Sequence, residues 1–320
     1  MPYAYDPELA PLAGLPELAP LDFADPSAAR AAMRAAAAAA PPYEPSIPVQ
    51  VTDTLIPGPP DAPKVRVRVY RPDGPDGAAG TLPALLFFHW GGLISGDLDS
   101  NHAVVLRLAE RVGAVIVSVD YRLAPEHPFP SALDDGYAAL SWTVHNADSL
   151  RIDPRRVGVV GDSAGGGLAA GLALLTRDRG GPALRCQSLN FPGLDDRLTS
   201  PSAQAFTDTP VLDRASAQHS WRHYLNGAGG PQDSGVSPYA APARADDLSG
   251  LPPTFISVCE FDPFRDEDIT YAHRLIQAGV PTELRHYPGT FHASTAVEFA
   301  AVSQRMIADQ HAALRRALHD

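Results

Sequence analysis

The 320-residue sequence predicts an α/β fold built on one doubly wound, mainly parallel sheet. Three observations predict it. Strand-like and helix-like stretches alternate from about Pro48 onward. Several strand-like runs are apolar throughout, as in a parallel sheet covered by helices on both faces. No internal repeat or flexible linker divides the chain.

Asp25-Pro26 opens the first helix with a capping side chain and a first-turn proline; alanines carry it to Ala40, and Pro41-Pro42 stops it. Val65–Tyr70 alternates apolar and basic residues, as a half-exposed strand near a sheet edge does. Leu85–His89, Val115–Asp120, Val157–Gly161, Leu184–Phe191, Thr254–Cys259 and Glu283–Tyr287 read as later strands. Helices are expected at Asn101–Val112, Ser131–Asn146, Ala164–Asp178, Arg265–Ala278 and Thr295–Leu318. The rhythm breaks at Asp195–Tyr239, where only Asp213–Leu225 looks helical. An insertion there, beside the N-terminal helices, is placed to act as a lid over the C-terminal edge of the sheet.

Composition narrows the function. The chain is 45% apolar and 19% charged, with 33 prolines scattered through loops, which is a globular profile. A net charge of −12 and a pI near 5.3 repel nucleic acid and anionic lipid, so neither is an expected partner. Cys186 and Cys259 each lie in an apolar run and are expected to be free, buried thiols. Met1 to Leu9 is acidic and lacks the basic-then-apolar layout of a secretion signal, and Ala35–Ala40 is too short to span a membrane. The expected setting is cytoplasmic.

Gly161-Asp162-Ser163-Ala164-Gly165 stands where an apolar strand ends and a small-residue helix begins. That is the layout of a nucleophile elbow, whose tight turn lifts a serine hydroxyl clear of the backbone. The helix start directs free N–H groups at the same point. His89-Trp90-Gly91-Gly92 follows the strand Leu85–Phe88, the loop position that supplies donors to a developing oxyanion. An acid and a base should follow the serine in that order. Asp262 comes just past the strand Thr254–Cys259, and His292 in a Gly289-Thr290-Phe291 loop past Glu283–Tyr287. Glu260 and Asp266 are rival acids and His286 a rival base, although His286 lies inside its strand. No metal-site spacing, P-loop or dinucleotide fingerprint occurs, and Gly165-Gly166-Gly167 reads as close helix packing, so the chemistry is expected to need no cofactor and no metal.

With these residues the sequence resembles the hormone-sensitive lipase-like esterases, whose bacterial members are called family IV. The matching segments are His89–Gly92 with Gly96-Asp97, Asp120–Pro130, Gly161–Gly166 and Asp262–Glu267, and the likeness runs from about Pro83 to the C-terminus. The resemblance implies an α/β-hydrolase fold: a mainly parallel eight-stranded sheet flanked by helices, with a helical cap. Residues 1–45 would be N-terminal cap helices, and 46–320 the catalytic domain with a cap insertion at about 195–239. It further implies a triad of Ser163, Asp262 and His292, oxyanion donors from the backbone of Gly91, Gly92 and Ala164, and substrate contacts from Trp90 and Leu93. Tyr121 and Glu126 would support the site rather than react.

The family usually carries His-Gly-Gly-Gly, and here Trp90 replaces the first glycine, which puts the pocket shape in question. The implied activity is hydrolysis of small carboxylic esters with short to medium acyl groups through an acyl-enzyme. An amidase or lactam hydrolase would use the same triad. A non-catalytic receptor, as in the plant gibberellin receptors that resemble this family, would lack the triad histidine. The resemblance leaves room for a homodimer.

Overall fold

A computed structural model describes residues 3–73 and 80–320. The first two residues of the expected N-terminal region, and 74–79 of the expected catalytic domain, lie outside them. Eight strands among the described residues form one sheet: β1 (Val49–Ile56), β2 (Val65–Pro72), β3 (Leu82–Phe88), β4 (Val115–Asp120), β5 (Ile152–Asp162), β6 (Gln187–Asn190), β7 (Thr254–Phe261) and β8 (Thr282–Phe291). Their spatial order is β1-β2-β4-β3-β5-β6-β7-β8. The pairs β1/β2 and β2/β4 are antiparallel, and every other pair is parallel. The helices are α1 (Pro26–Ala39), α2 (His102–Val112), α3 (Ser131–His145), α4 (Ala147–Leu150), α5 (Ala164–Asp178), α6 (Pro201–Ala205), α7 (Arg214–Tyr224), α8 (Arg265–Gln277) and α9 (Ala301–His319).

Local chemistry accounts for much of this. Asp25 accepts from the N–H groups of Ser27 and Ala28 and caps α1, and Asp213 caps α7 through Ser216. The central strand β3 is buried from Pro83 to Phe88, because β4 and β5 flank it and helices cover both faces. Strand β1 carries no such signal, since Ile56 is its one buried residue. It forms by eight-residue pairing with β2 and by ion pairs from Asp53 to Arg66 and Arg68.

Several boundaries differ from expectation. Strand β6 is confined to four residues, whereas β5 begins five residues early, at Ile152. The expected loop Gly289–Phe291 is instead the end of β8, paired to β7 at Phe261↔Phe291. The C-terminal helix starts at Ala301 rather than Thr295, after a short 3-10 turn at Ser294–Ala296.

The N-terminal segment and the 195–239 insertion meet each other and the sheet's C-terminal edge. Leu21 N–H donates to Val211 O, and Val211 N–H to Leu18 O (3.3 and 2.8 Å). Arg30 on α1 reaches the carbonyls of Ile94 and Ala124 and pairs with Glu126. Phe129 N–H donates to Tyr224 O at the end of α7. No helix among the described residues is long and apolar enough to cross a membrane.

Candidate active site

Four strand ends converge. Register pairs Phe88 of β3 with Gly161 of β5, so the loop after β3 lies beside the turn after β5. Strands β7 and β8 end on the pair Phe261↔Phe291, and the next residue of each is Asp262 and His292. A register shift between Cys259 and Phe261 produces this match: Cys259 pairs with Tyr287, and two extra residues of β8 then bring His292 level with Asp262.

Ser163 sits at the β5–α5 turn with φ +55° and ψ −121°, a conformation that costs a non-glycine residue about 1–3 kcal/mol. Its surroundings hold it there. Ser163 N–H donates to Asn190 O at 2.8 Å, and its carbonyl accepts from Gly167 and Gly193. The flanking glycines are required sterically. A Cβ on Gly161 would stand 2.1 Å from Gly165 O, and one on Gly165 would stand 2.1 Å from Phe88 O.

The three side chains form one hydrogen-bonded line. His292 Nε2 lies 2.8 Å from Ser163 Oγ, and His292 Nδ1 lies 2.7 Å from Asp262 Oδ2. Asp262 Oδ1 accepts from the Phe264 N–H at 2.9 Å. A carboxylate can only accept, so Nδ1 carries the ring proton and Nε2 is left to accept from the serine hydroxyl. All three residues are buried, and Phe191 and Phe264 pack edge-on against the imidazole at 5.1 and 5.5 Å. The rivals stand elsewhere. Glu260 accepts from the Gly289 N–H, Asp266 from the Ser202 N–H, and His286 is exposed on β8.

Gly92 and Ala164, the first residue of α5, line one cavity with Ser163, and Gly91 precedes Gly92 in the loop after β3. Among the described residues, the N–H groups of Gly91, Gly92 and Ala164 meet no protein acceptor. His89 is fully buried, which pushes its pKa down to about 4 and keeps the ring neutral. It stacks on Tyr121 at 4.1 Å, and the Tyr121 hydroxyl donates to His89 O at 2.7 Å. Asp162, next to the nucleophile, is pushed up to about 6 by burial, against the opposing amide of Asn190.

A cavity of about 20 Å³ lies over Ser163. Leu93 lines it; Trp90 does not, and its indole is half-buried outside it. Phe23, Leu212, Ser220, Trp221 and Phe264 also line the cavity. Sequence reasoning missed these residues, because a loop phenylalanine and the face of a polar helix carry no local mark of a pocket. A wider cleft of about 370 Å³ bordered by Arg30, Arg34, Asp97 and Glu126 includes neither Ser163 nor Gly92. No group of three or more His, Cys, Asp or Glu side chains is arranged to hold a metal among the described residues. The line of groups is equipped to take a proton from a serine hydroxyl while nearby N–H groups receive negative charge.

A family described as the alpha/beta hydrolase fold matches residues 85–296. The chain is 42% identical over 258 residues to a carboxylesterase, NlhH, of Mycobacterium tuberculosis, covering 80% of this chain and 79% of the relative. It is 37% identical over 227 residues to an ethyl acetate hydrolase of Pseudomonas putida, covering 71% and 70%. Among solved structures it is similar to a bacterial heroin esterase, at 45% identity and TM-score 0.93 over 98% of each chain.

Proposed function

The chain belongs to the α/β-hydrolase fold family, among its hormone-sensitive lipase-like carboxylic ester hydrolases, and we propose that Ser163 is the nucleophile, His292 the base and Asp262 the orienting acid. The observation that carries this reading is the single hydrogen-bonded line through His292, with Ser163 at one nitrogen and Asp262 at the other.

Ser163 Oγ attacks the ester carbonyl as His292 Nε2 takes its proton, and Asp262 stabilises the imidazolium. The N–H groups of Gly91, Gly92 and Ala164 receive the tetrahedral oxyanion, each worth about 3 kcal/mol in such holes. His292 returns the proton to the departing alcohol, and then draws one from the water that cleaves the acyl-enzyme. Leu93 contributes to substrate contact from the cavity wall, and Trp90 from outside that wall. Residues 1–45 and 195–239 act together as a cap on the catalytic domain.

The cavity over Ser163 has room for about one water. That favours acetyl and other short acyl groups, which ask the smallest displacement of the cavity wall. Hydrolysis of p-nitrophenyl esters from acetate to palmitate, by wild type and Ser163→Ala, tests the reading. Serine-dependent turnover peaking at short chains is expected; activity surviving in a folded Ser163→Ala variant would overturn it. A cytoplasmic setting, which the free Cys186 and Cys259 support, and a homodimer belong to the same proposal.

A further inference from the structure

A peptide unit is planar, so holding a carbonyl fixes the N–H of the next residue. The Trp90 carbonyl accepts from His89 Nδ1 at 2.9 Å, which sets the Gly91 N–H. The Gly91 carbonyl accepts from Ile94 N, Ser95 N and Ser95 Oγ at 3.1, 2.9 and 2.9 Å, which sets the Gly92 N–H. These bonds come from the loop and its own flanks. The plane after Gly92 is held differently: its carbonyl accepts from the hydroxyl of Ser220, on α7, at 2.6 Å. Gly92 has φ +65° and no side chain to restrain it, so the Ser220 bond directly restrains the peptide on its C-terminal side.

We propose that Ser220 is a positioning residue for ester hydrolysis: its hydroxyl latches α7 to the oxyanion loop at the Gly92 carbonyl, so the C-terminal side of Gly92 is braced only when α7 is seated. This rests on the reading of Ser163 and Gly92 given above. The same helix carries Trp221, buried in the cavity wall next to Ser220. A cavity of about 20 Å³ cannot admit an acyl group unless a wall element moves. Displacement of α7 stretches the Ser220 bond, and its return over the bound ester restores it. Closure over the substrate and bracing of the oxyanion loop at Gly92 become one event.

The test uses Ser220→Ala and Ser220→Thr with p-nitrophenyl acetate, and a trifluoromethyl ketone as probe. Ser163 Oγ adds to that ketone's carbonyl carbon, the carbonyl oxygen becomes the alkoxide in the oxyanion site, and the serine proton passes to His292. In Ser220→Ala, kcat is expected to fall about tenfold, equivalent to about 1.4 kcal/mol, with KM within about twofold. The inhibition constant of the ketone should weaken by a similar factor. Ser220→Thr, which keeps the hydroxyl, should recover at least about half of the lost kcat. Wild-type kcat and ketone affinity in Ser220→Ala would overturn the latch, as would a loss that tracks only a lowered Tm and is not rescued by threonine. If wild-type turnover itself fails to depend on Ser163, the reading of the site falls and the latch with it. Serine-dependent turnover with an indifferent Ser220→Ala removes the latch alone.

Discussion

Replacing Asp262 by asparagine isolates the role of one buried oxygen. Asp262 is 1% exposed and uses its two oxygens separately: Oδ1 accepts from the Phe264 N–H at 2.9 Å, and Oδ2 faces His292 Nδ1 at 2.7 Å. The Phe264 donor requires an oxygen, so the asparagine amide must place its NH₂ group toward His292. Two donors cannot share that contact. The imidazole therefore moves its proton to Nε2, which then points an N–H at Ser163 Oγ and cannot take the serine proton. Wrong-tautomer substitutions of this kind cost about 10⁴-fold in kcat, or about 5.4 kcal/mol. Because volume is conserved and the Phe264 bond survives, the fold should not weaken. Initial rates on p-nitrophenyl acetate, with a thermal melt alongside, check both parts. A folded Asp262→Asn variant with kcat within about tenfold of wild type would show that Asp262 does not orient the ring.

Other consequences follow from burial. Asp162 holds its proton to about pH 6 in the folded chain but releases it near 3.8 when unfolded, so wild-type stability falls as pH rises between these values, by up to about 3 kcal/mol. Asp162→Asn has no such proton to lose; its urea stability should gain on wild type between pH 4 and 7, and an equal difference at both ends would contradict the account. Gly165→Ala sets a Cβ 2.1 Å from the Phe88 carbonyl, backbone against backbone, and should cost about 3 kcal/mol or more by urea unfolding; a loss under about 1 kcal/mol would mean the turn can relax. Burial pushes the Cys186 thiol up to about 12 and that of Cys259 up as well. Ellman's reagent at pH 8 should find no reactive thiol in the native protein and two after guanidinium unfolding, and a native reaction would place one of them at the surface.

The sheet was legible wherever burial writes itself into composition. Val115–Asp120 and Ala164–Asp178 begin and end where the apolar pattern places them, because both are enclosed by neighbours. The pattern failed where pairing rather than burial makes the element. Strand β1 exposes most of both faces and is held by its ladder to β2 and by Asp53. At Gly289–Phe291 a glycine and a threonine look like a loop, yet they continue β8 because β7 runs alongside. The short helix Pro201–Ala205, capped by Ser200, left too few residues for any periodicity to show.

The same contrast divides the candidate site. The residues proposed to react could be singled out in the sequence because each follows a strand, and strand ends share one edge of a parallel sheet. Spacing alone could not show that Asp262 and His292 stand level; that depends on the shift between Cys259 and Phe261, a feature of pairing. The enclosure is a different matter. Phe23 comes from the segment before α1, Leu212 and Trp221 from the insertion, and Ser220 reaches Gly92 across 128 positions of sequence. None of these contacts repeats at a helical or strand period, so no window of sequence contains them. The proposed mechanism draws on residues at the strand ends, whereas the lining of the cavity over Ser163 depends on tertiary contacts between residues 195–239, the N-terminal segment and the loop after β3. Substitutions at Phe23, Leu212 or Ser220 should therefore alter acyl selectivity or kcat while leaving the hydrogen-bonded line through His292 intact.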